Sequence, residues 1–197
     1  DHISANALAD LVQDGRMTGF ARTVHHLDSF DQPELAAMRE RGFMAAAVLP
    51  GVSSLWKNSL QDRHGRTAPV VGNGVDPAKF SPHPDKQDSA LRARYHLPAD
   101  KRLILSVGGI EHRKNTLLLL EMFLALCQEQ PDIHLVVAGG ASLLDHSACR
   151  TAFEARLHAS GLADHVSVTG PVADEDMPAF YRQAAVLAYP SAVEWFV

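Results

Sequence analysis

Two hydrophobic patterns follow each other along the chain. From residue 103 onward, short continuous apolar runs alternate with stretches of helical period. Strands are predicted at Leu103–Val107, His134–Ala138, Val166–Thr169 and Val186–Tyr189, with helices near 115–129, 146–159 and 175–184 between them. In the first of these helices Leu119, Met122, Phe123 and Leu126 share one face. Met177, Phe180, Tyr181 and Ala184 repeat that spacing in the last, with Asp174 as its expected N-cap. Apolar strands alternating with amphipathic helices predict an α/β fold whose parallel sheet is covered on both faces.

The earlier residues are less regular. A helix is expected over Ser4–Val12 with Leu8, Leu11 and Val12 on one face, then a strand over Phe20–Val24 running into His25 and His26. Pro33 opens a second helix through Leu35 and Met38. The apolar run Met44–Leu49, set between Gly42 and Pro50-Gly51, reads as a strand. Val52-Ser53-Ser54 starts a helix carrying Leu55, Trp56 and Leu60, and Ala68–Val71 follows as a short apolar run. Asn73-Gly74 is a turn signal. The passage Asp76–Asp88, with Pro77, Pro82 and Pro84, offers no extended hydrophobic face, so a domain junction falls there: residues 1–80 form one domain and 81–197 another.

Composition excludes several classes. Hydrophobic residues make up 46% of 197, which rules out a disordered or fibrous chain. Eighteen basic against 23 acidic residues give 18 − 23 = −5, without long basic runs, so no nucleic-acid partner is expected. Cys127 and Cys149 are too few for a disulfide framework and form no CxxC pair; both are expected reduced, in a cytoplasmic setting. No stretch approaches the roughly 20 apolar residues of a membrane span, and no signal peptide is evident. The chain opens on Asp1 rather than Met and closes at Val197 soon after a strand-like run, so both ends read as cut.

Candidate chemistry collects where strands end. Gly108-Gly109 terminates the first strand of the second domain, where open α/β sheets bind ligands and where a missing Cβ lets backbone approach one. The amides of the next helix, with Arg113 and Lys114 in its first turn, suit an anion such as a diphosphate; an ordinary βα turn with solvent-facing basic residues has the same spacing. Gly139-Gly140 closes the next strand as a cleft border or a tight turn. Asp145-His146 has no third metal ligand at useful spacing, and Asp145 reads as a helix cap. His25 and His26 end a strand of the first domain, where one could orient a sugar hydroxyl, with Asp28 close behind; a partly buried histidine with a backbone partner is the plain alternative. No GxSxG elbow exists, so a serine hydrolase is a poor fit. Glu194 follows Tyr189-Pro190-Ser191 at the last strand end. A carboxylate there can accept hydrogen bonds from sugar hydroxyls or simply face solvent, and Trp195 and Phe196 beside it hint at further structure.

Taken together these positions resemble the retaining GT-B glycosyltransferases of family 4, the group 1 type. Thr23-Val24-His25 is similar to that family's T-x-H segment, and Val52-Ser53 with Trp56 to the strand-to-helix passage closing its first sheet. Asn73-Gly74-Val75-Asp76 with Phe80 and Pro82 resembles the interdomain NGVD…F.P run, and Ser106-Val107-Gly108 with Lys114 the SVGR…KG diphosphate site. Val136 to Gly140 resembles the VIAGG strand, Gly170-Pro171-Val172 the turn contacting the nucleotide base, and Tyr189-Pro190-Ser191 with Glu194 the PS..EGFG opening of the two-glutamate motif. The family arginine falls on Gly109, the glycine after the lysine is Asn115, and the chain stops before a second glutamate.

The resemblance implies two Rossmann-like domains, both incomplete, and transfer of a sugar from a UDP- or GDP-linked donor to an acceptor hydroxyl with retained configuration. It implies no cofactor and no metal. His25, Lys114 and Glu194 would be catalytic, and Gly108, Gly109, Arg113, Lys114, Gly140, Pro171, Val172 and Glu194 would bind donor. A missing amino-terminal region could supply peripheral membrane contact. The piece alone is expected to be inactive. A noncatalytic nucleotide-sugar-binding fragment and a GT-B epimerase or phosphorylase are the alternatives.

Overall fold

The computed structural model describes residues 1–25, 30–140 and 147–192, apart from the Gln87 side chain. The chain divides into two compact units, Asp1–Val75 and a second beginning at Asp76.

Among the described residues the first unit holds three helices, α1 (His2–Gln13), α2 (Pro33–Ala45) and α3 (Ser54–His64). Asp1 caps α1 by accepting from the Ser4 amide at 2.8 Å. The buried face of α1 is Ala5, Asn6 and Ala9, while Leu8, Leu11 and Val12, expected to form it, are only half-buried. Close approach of two helices selects small residues, and a Cβ on Gly42 of α2 would stand 2.9 Å from the Ala5 methyl. Asn6 fills the seam by donating to the Met38 carbonyl at 2.6 Å and accepting from Arg41 at 3.2 Å.

The strands expected at 20–24 and 44–49 shrink to isolated parallel bridges, Ala21 with Val48, Val24 with Gly51, and Gly51 with Val70. Met44 and Ala45 belong to α2, in keeping with their high helix propensity. Arg66 satisfies the open end of that helix, donating to the carbonyls of Phe43, Met44 and Ala46 at 2.9, 2.8 and 2.6 Å. Val24, Phe43, Ala46, Leu49, Leu60 and Ala68 form the small core.

Asn73-Gly74 forms no turn. The chain runs on without one and turns at Pro77–Phe80 instead. Asp76 organises that turn: its carboxylate accepts from the amides of Ala78 and Lys79 at 2.9 and 3.2 Å, and its carbonyl from Phe80 at 2.9 Å.

Among the described residues the second unit is a four-stranded parallel sheet flanked by helices. Its elements are α4 (Lys86–Arg94), β1 (Arg102–Val107), α5 (Thr116–Glu129), β2 (Ile133–Ala138), α6 (Ser147–Ser160), β3 (Val166–Gly170), α7 (Met177–Gln183) and β4 (Ala184–Leu187), in spatial order β3-β2-β1-β4. One face packs on α5 and α6 through Leu120, Phe123, Leu135, Val137 and Phe153. The other packs on α7 and the α4 region through Leu91, Leu97, Leu105, Val136 and Phe180.

Three sequence expectations shift here. Helix α4 falls in what reads as polar chain, because ion pairs seat it: Arg182 grips Asp88 at 2.8–3.0 Å, and Asp176 receives Arg94 and the Tyr95 hydroxyl. The buried face of α5 is Thr116, Leu119, Leu120, Phe123, Leu124 and Cys127, with Met122 exposed; leucines at 117–120 cover every direction, so spacing could not choose the face. Asp176 rather than Asp174 holds the N-cap position of α7, without a side-chain capping bond since its carboxylate is taken by Arg94 and Tyr95. Tyr181 faces outward, and β4 begins two residues early because α7 leads straight into its ladder with β1.

Candidate functional site

Strand order reverses beside β1, since β2 and β3 lie on one side and β4 on the other. Ligands of open α/β sheets bind outside the carboxyl ends of the strands at such a reversal. Here β1 leaves the sheet through Gly108, whose φ of +121° excludes an ordinary side chain. Its amide donates to the Ala138 carbonyl at 2.8 Å. A Cβ on Gly109 would run into the Gly140 carbonyl oxygen, and one on Gly140 would stand 2.8 Å from Pro171. The loops after β1, β2 and β3 therefore stack on one another through absent side chains. Gly109, where the resembling family has arginine, has no room for one. Buried Thr116 ties this stack to α5: its hydroxyl donates to the Gly109 carbonyl at 3.2 Å and accepts from the Glu111 amide at 3.4 Å.

Lys114 occupies the reversal itself. Its stem lies over Gly108, so a Cβ there would meet the lysine Cε at 3.3 Å. Its ammonium donates to the Tyr189 hydroxyl at 2.6 Å and sits 4.3 Å from the centre of that ring. Tyr189 follows the end of β4, so the pair spans the two strands that flank the reversal. Tyr181 stands close by. Burial and the neighbouring Tyr189 raise its hydroxyl above the usual tyrosine range, with Lys114 opposing them.

Arg113 and Lys114 lie in the turn before α5, not in its first turn, because Asn115 adopts the left-handed conformation (φ 55°) and the helix starts after it. Arg113 pairs with Glu111 at 3.8 Å, and its carbonyl accepts from the Ala192 amide at 3.0 Å, a second link between the β1 loop and the segment after β4. Beside the first turn of α5 opens a cavity of about 600 Å³ lined by Glu111, Asn115, Leu118, Glu121 and Cys149 among others. Its carboxylates make it a poor place for a diphosphate; the cation lies at Lys114 instead. Val172 packs its side chain against the core formed with α4 and α7.

His25 belongs to the first unit, where its side chain is exposed and its carbonyl accepts from the Trp56 indole at 2.9 Å. Glu194, Trp195 and Phe196 lie outside the described residues, as do His26, Asp28, Asp145 and His146. Among the described residues no group of three His, Cys, Asp or Glu could hold a metal ion, and no helix is long and apolar enough to cross a membrane. Tyr189 and Thr116 are the site residues that sequence reasoning missed. Tyr189 had one usable signal, an aromatic with a polar tip where a strand ends.

A parallel sheet with a glycine-lined carboxyl end and a lysine at its reversal makes this an open α/β domain, and the fold matches that of GT-B glycosyltransferases. Anabaena HepE, solved with UDP and glucose, shares it at a TM-score of 0.81 with 18% identity, covering 98% of this chain and 51% of HepE. The family described as Glycosyl transferases group 1 matches residues 87–196, and the chain belongs to it. It is 37% identical over 131 residues to a D-inositol 3-phosphate glycosyltransferase of Kineococcus radiotolerans, covering 64% of this chain and 29% of that protein. Over 194 residues it is 26% identical to the GDP-mannose-dependent alpha-(1-6)-phosphatidylinositol monomannoside mannosyltransferase of Mycobacterium tuberculosis (strain H37Rv), covering 95% of this chain and 48% of that enzyme. The chain thus spans half or less of these curated relatives.

Proposed function

We propose that this chain is the central part of a retaining family 4 glycosyltransferase that moves a sugar from a UDP- or GDP-linked donor to an acceptor hydroxyl. The observation that carries the reading is the Lys114 ammonium held over the glycine-lined end of β1 at the strand-order reversal. A diphosphate leaving group develops charge as the glycosidic bond breaks, and a fixed ammonium beside close-lying backbone stabilises that charge without reorganising. Lys114 takes that role, with Gly108, Gly109 and the backbone around Gly140, Pro171 and Val172 forming the donor side. His25 serves the transferred sugar and Glu194 orients it, the roles the family resemblance gives them. The donor class is supported by the GDP-mannose dependence of the mycobacterial relative and by the UDP bound to HepE. Because the chain spans half or less of its curated relatives, residues 1–197 alone are expected to transfer sugar poorly.

The test is calorimetry with UDP and GDP on a protein containing this whole chain, alongside transfer from labelled UDP- and GDP-sugars. Lys114→Ala should weaken nucleoside diphosphate binding about thirtyfold, the loss of a charge-assisted contact. Unchanged affinity would overturn the site, and robust turnover by residues 1–197 would overturn the fragmentary reading.

A further inference from the structure

We propose that Tyr189 is a positioning residue for the donor diphosphate, acting through Lys114. This rests on the transferase reading above and adds a residue to its site. A lysine stem carries about 2 kcal/mol of rotamer freedom, so an unguided ammonium is a poorly aimed charge. Among the described residues, three contacts hold it. The stem runs over Gly108, the ammonium lies 4.3 Å from the Tyr189 ring centre, and the Tyr189 hydroxyl accepts one of its three N–H bonds at 2.6 Å. Arg113, next in the chain, pairs with Glu111, and Gly109 has no room for a side chain.

The arrangement is built for aim rather than for stability. Tyr189 is 50% exposed, and an exposed polar contact adds little to folding. It also joins residues 75 positions apart across the strand-order reversal, and the Ala192 amide reinforces the same junction by donating to the Arg113 carbonyl. Tyr181 backs the pair: it lies close enough to both Tyr189 and Lys114 for each to act on its hydroxyl. Chain from the end of β4 and chain from the end of β1 thus meet at one ammonium, which is where a terminal phosphate oxyanion would dock.

A double-mutant cycle in a protein containing the whole chain tests this, with UDP, GDP and the corresponding monophosphates as probes. Tyr189→Phe keeps the ring and removes the hydroxyl. It should weaken diphosphate binding about fivefold, the size of one hydrogen bond, with monophosphate affinity changed less than about twofold and melting temperature unchanged. The double variant Tyr189→Phe, Lys114→Ala should bind no worse than Lys114→Ala alone, because the hydroxyl acts only through the ammonium. Tyr189→Phe binding like wild type, or losses that add in the double variant, would overturn the positioning role and leave the site standing. Wild-type protein binding neither UDP nor GDP, or Lys114→Ala binding as wild type, would overturn the donor site and the role of Tyr189 with it.

Discussion

The two ends of the sheet in the second unit carry opposite kinds of chemistry. At the carboxyl end, glycines let three loops stack and Lys114 meets Tyr189 at a half-open surface. At the amino end, polar groups are closed in on themselves. Buried His134 bonds the Ser167 hydroxyl at 2.8 Å, while the His165 ring nitrogen lies 3.3 Å from both the Cys127 sulfur and the Ile133 carbonyl. Burial, with His165, Arg92 and Lys101 nearby, pushes His134 down to about 4, and burial raises the Cys127 thiol. A shifted histidine invites a catalytic reading. Its place at the strand starts, buried and bonded to Ser167, makes it a packing element instead. What separates the two ends is access.

That contrast can be broken experimentally, starting with the ion pairs behind the sheet. Arg182 and Asp88 are both nearly buried, and the Arg182 hydrogen bonds hold the Asp88 carboxyl below the usual range. Arg182→Ala strands the carboxylate and should cost about 3 kcal/mol by chemical denaturation, through loss of α4 docking. Gly109→Ala is the corresponding break at the carboxyl end: its Cβ collides with the Gly140 carbonyl, and the loop must shift at about 2 kcal/mol. If the carboxyl end is the functional one, Gly109→Ala should also abolish nucleotide binding, whereas Arg182→Ala below its melting temperature should not.

The amino end should report through pH. His134 is neutral when folded and gains a proton more easily when unfolded, so its contribution to stability is complete above about pH 6.5 and falls as pH drops toward 4. The loss, discounted for relaxation, should be about 2 kcal/mol at pH 4, and His134→Gln should flatten that part of the profile. A donor-binding profile that followed His134 would contradict the assignment of this end to packing. The smallest effect belongs to Thr116→Val, which removes the tie between α5 and the Gly109 carbonyl. It should cost about 1 kcal/mol of stability and loosen diphosphate binding severalfold.

The sheet was legible because its strands are unbroken apolar runs: Leu103–Val107 and His134–Ala138 fall within a residue of β1 and β2. Helix α4 was not, since its seat is made by Arg182 and Asp176 from 80 to 95 positions away, and no local pattern encodes such partners. The face of α5 was equally hidden, because four consecutive leucines satisfy every helical face until the sheet picks one. In the first unit, bridges replaced strands: Met44 and Ala45 are taken into α2, and the remaining runs pair only singly, at Ala21 with Val48, Val24 with Gly51 and Gly51 with Val70.

For the candidate site, residue types and spacing were enough to mark Gly108, Gly109 and Lys114, because a glycine pair at a strand end and a nearby cation are local features. Chain order alone determined the alternation of strand and helix, and so the parallel class of the sheet. Only the tertiary structure decided that β4 lies beside β1, that Gly109 abuts Gly140, and that Tyr189 holds Lys114. Each is a contact between segments distant in the chain, fixed by how buried surfaces fit rather than by any neighbour in sequence.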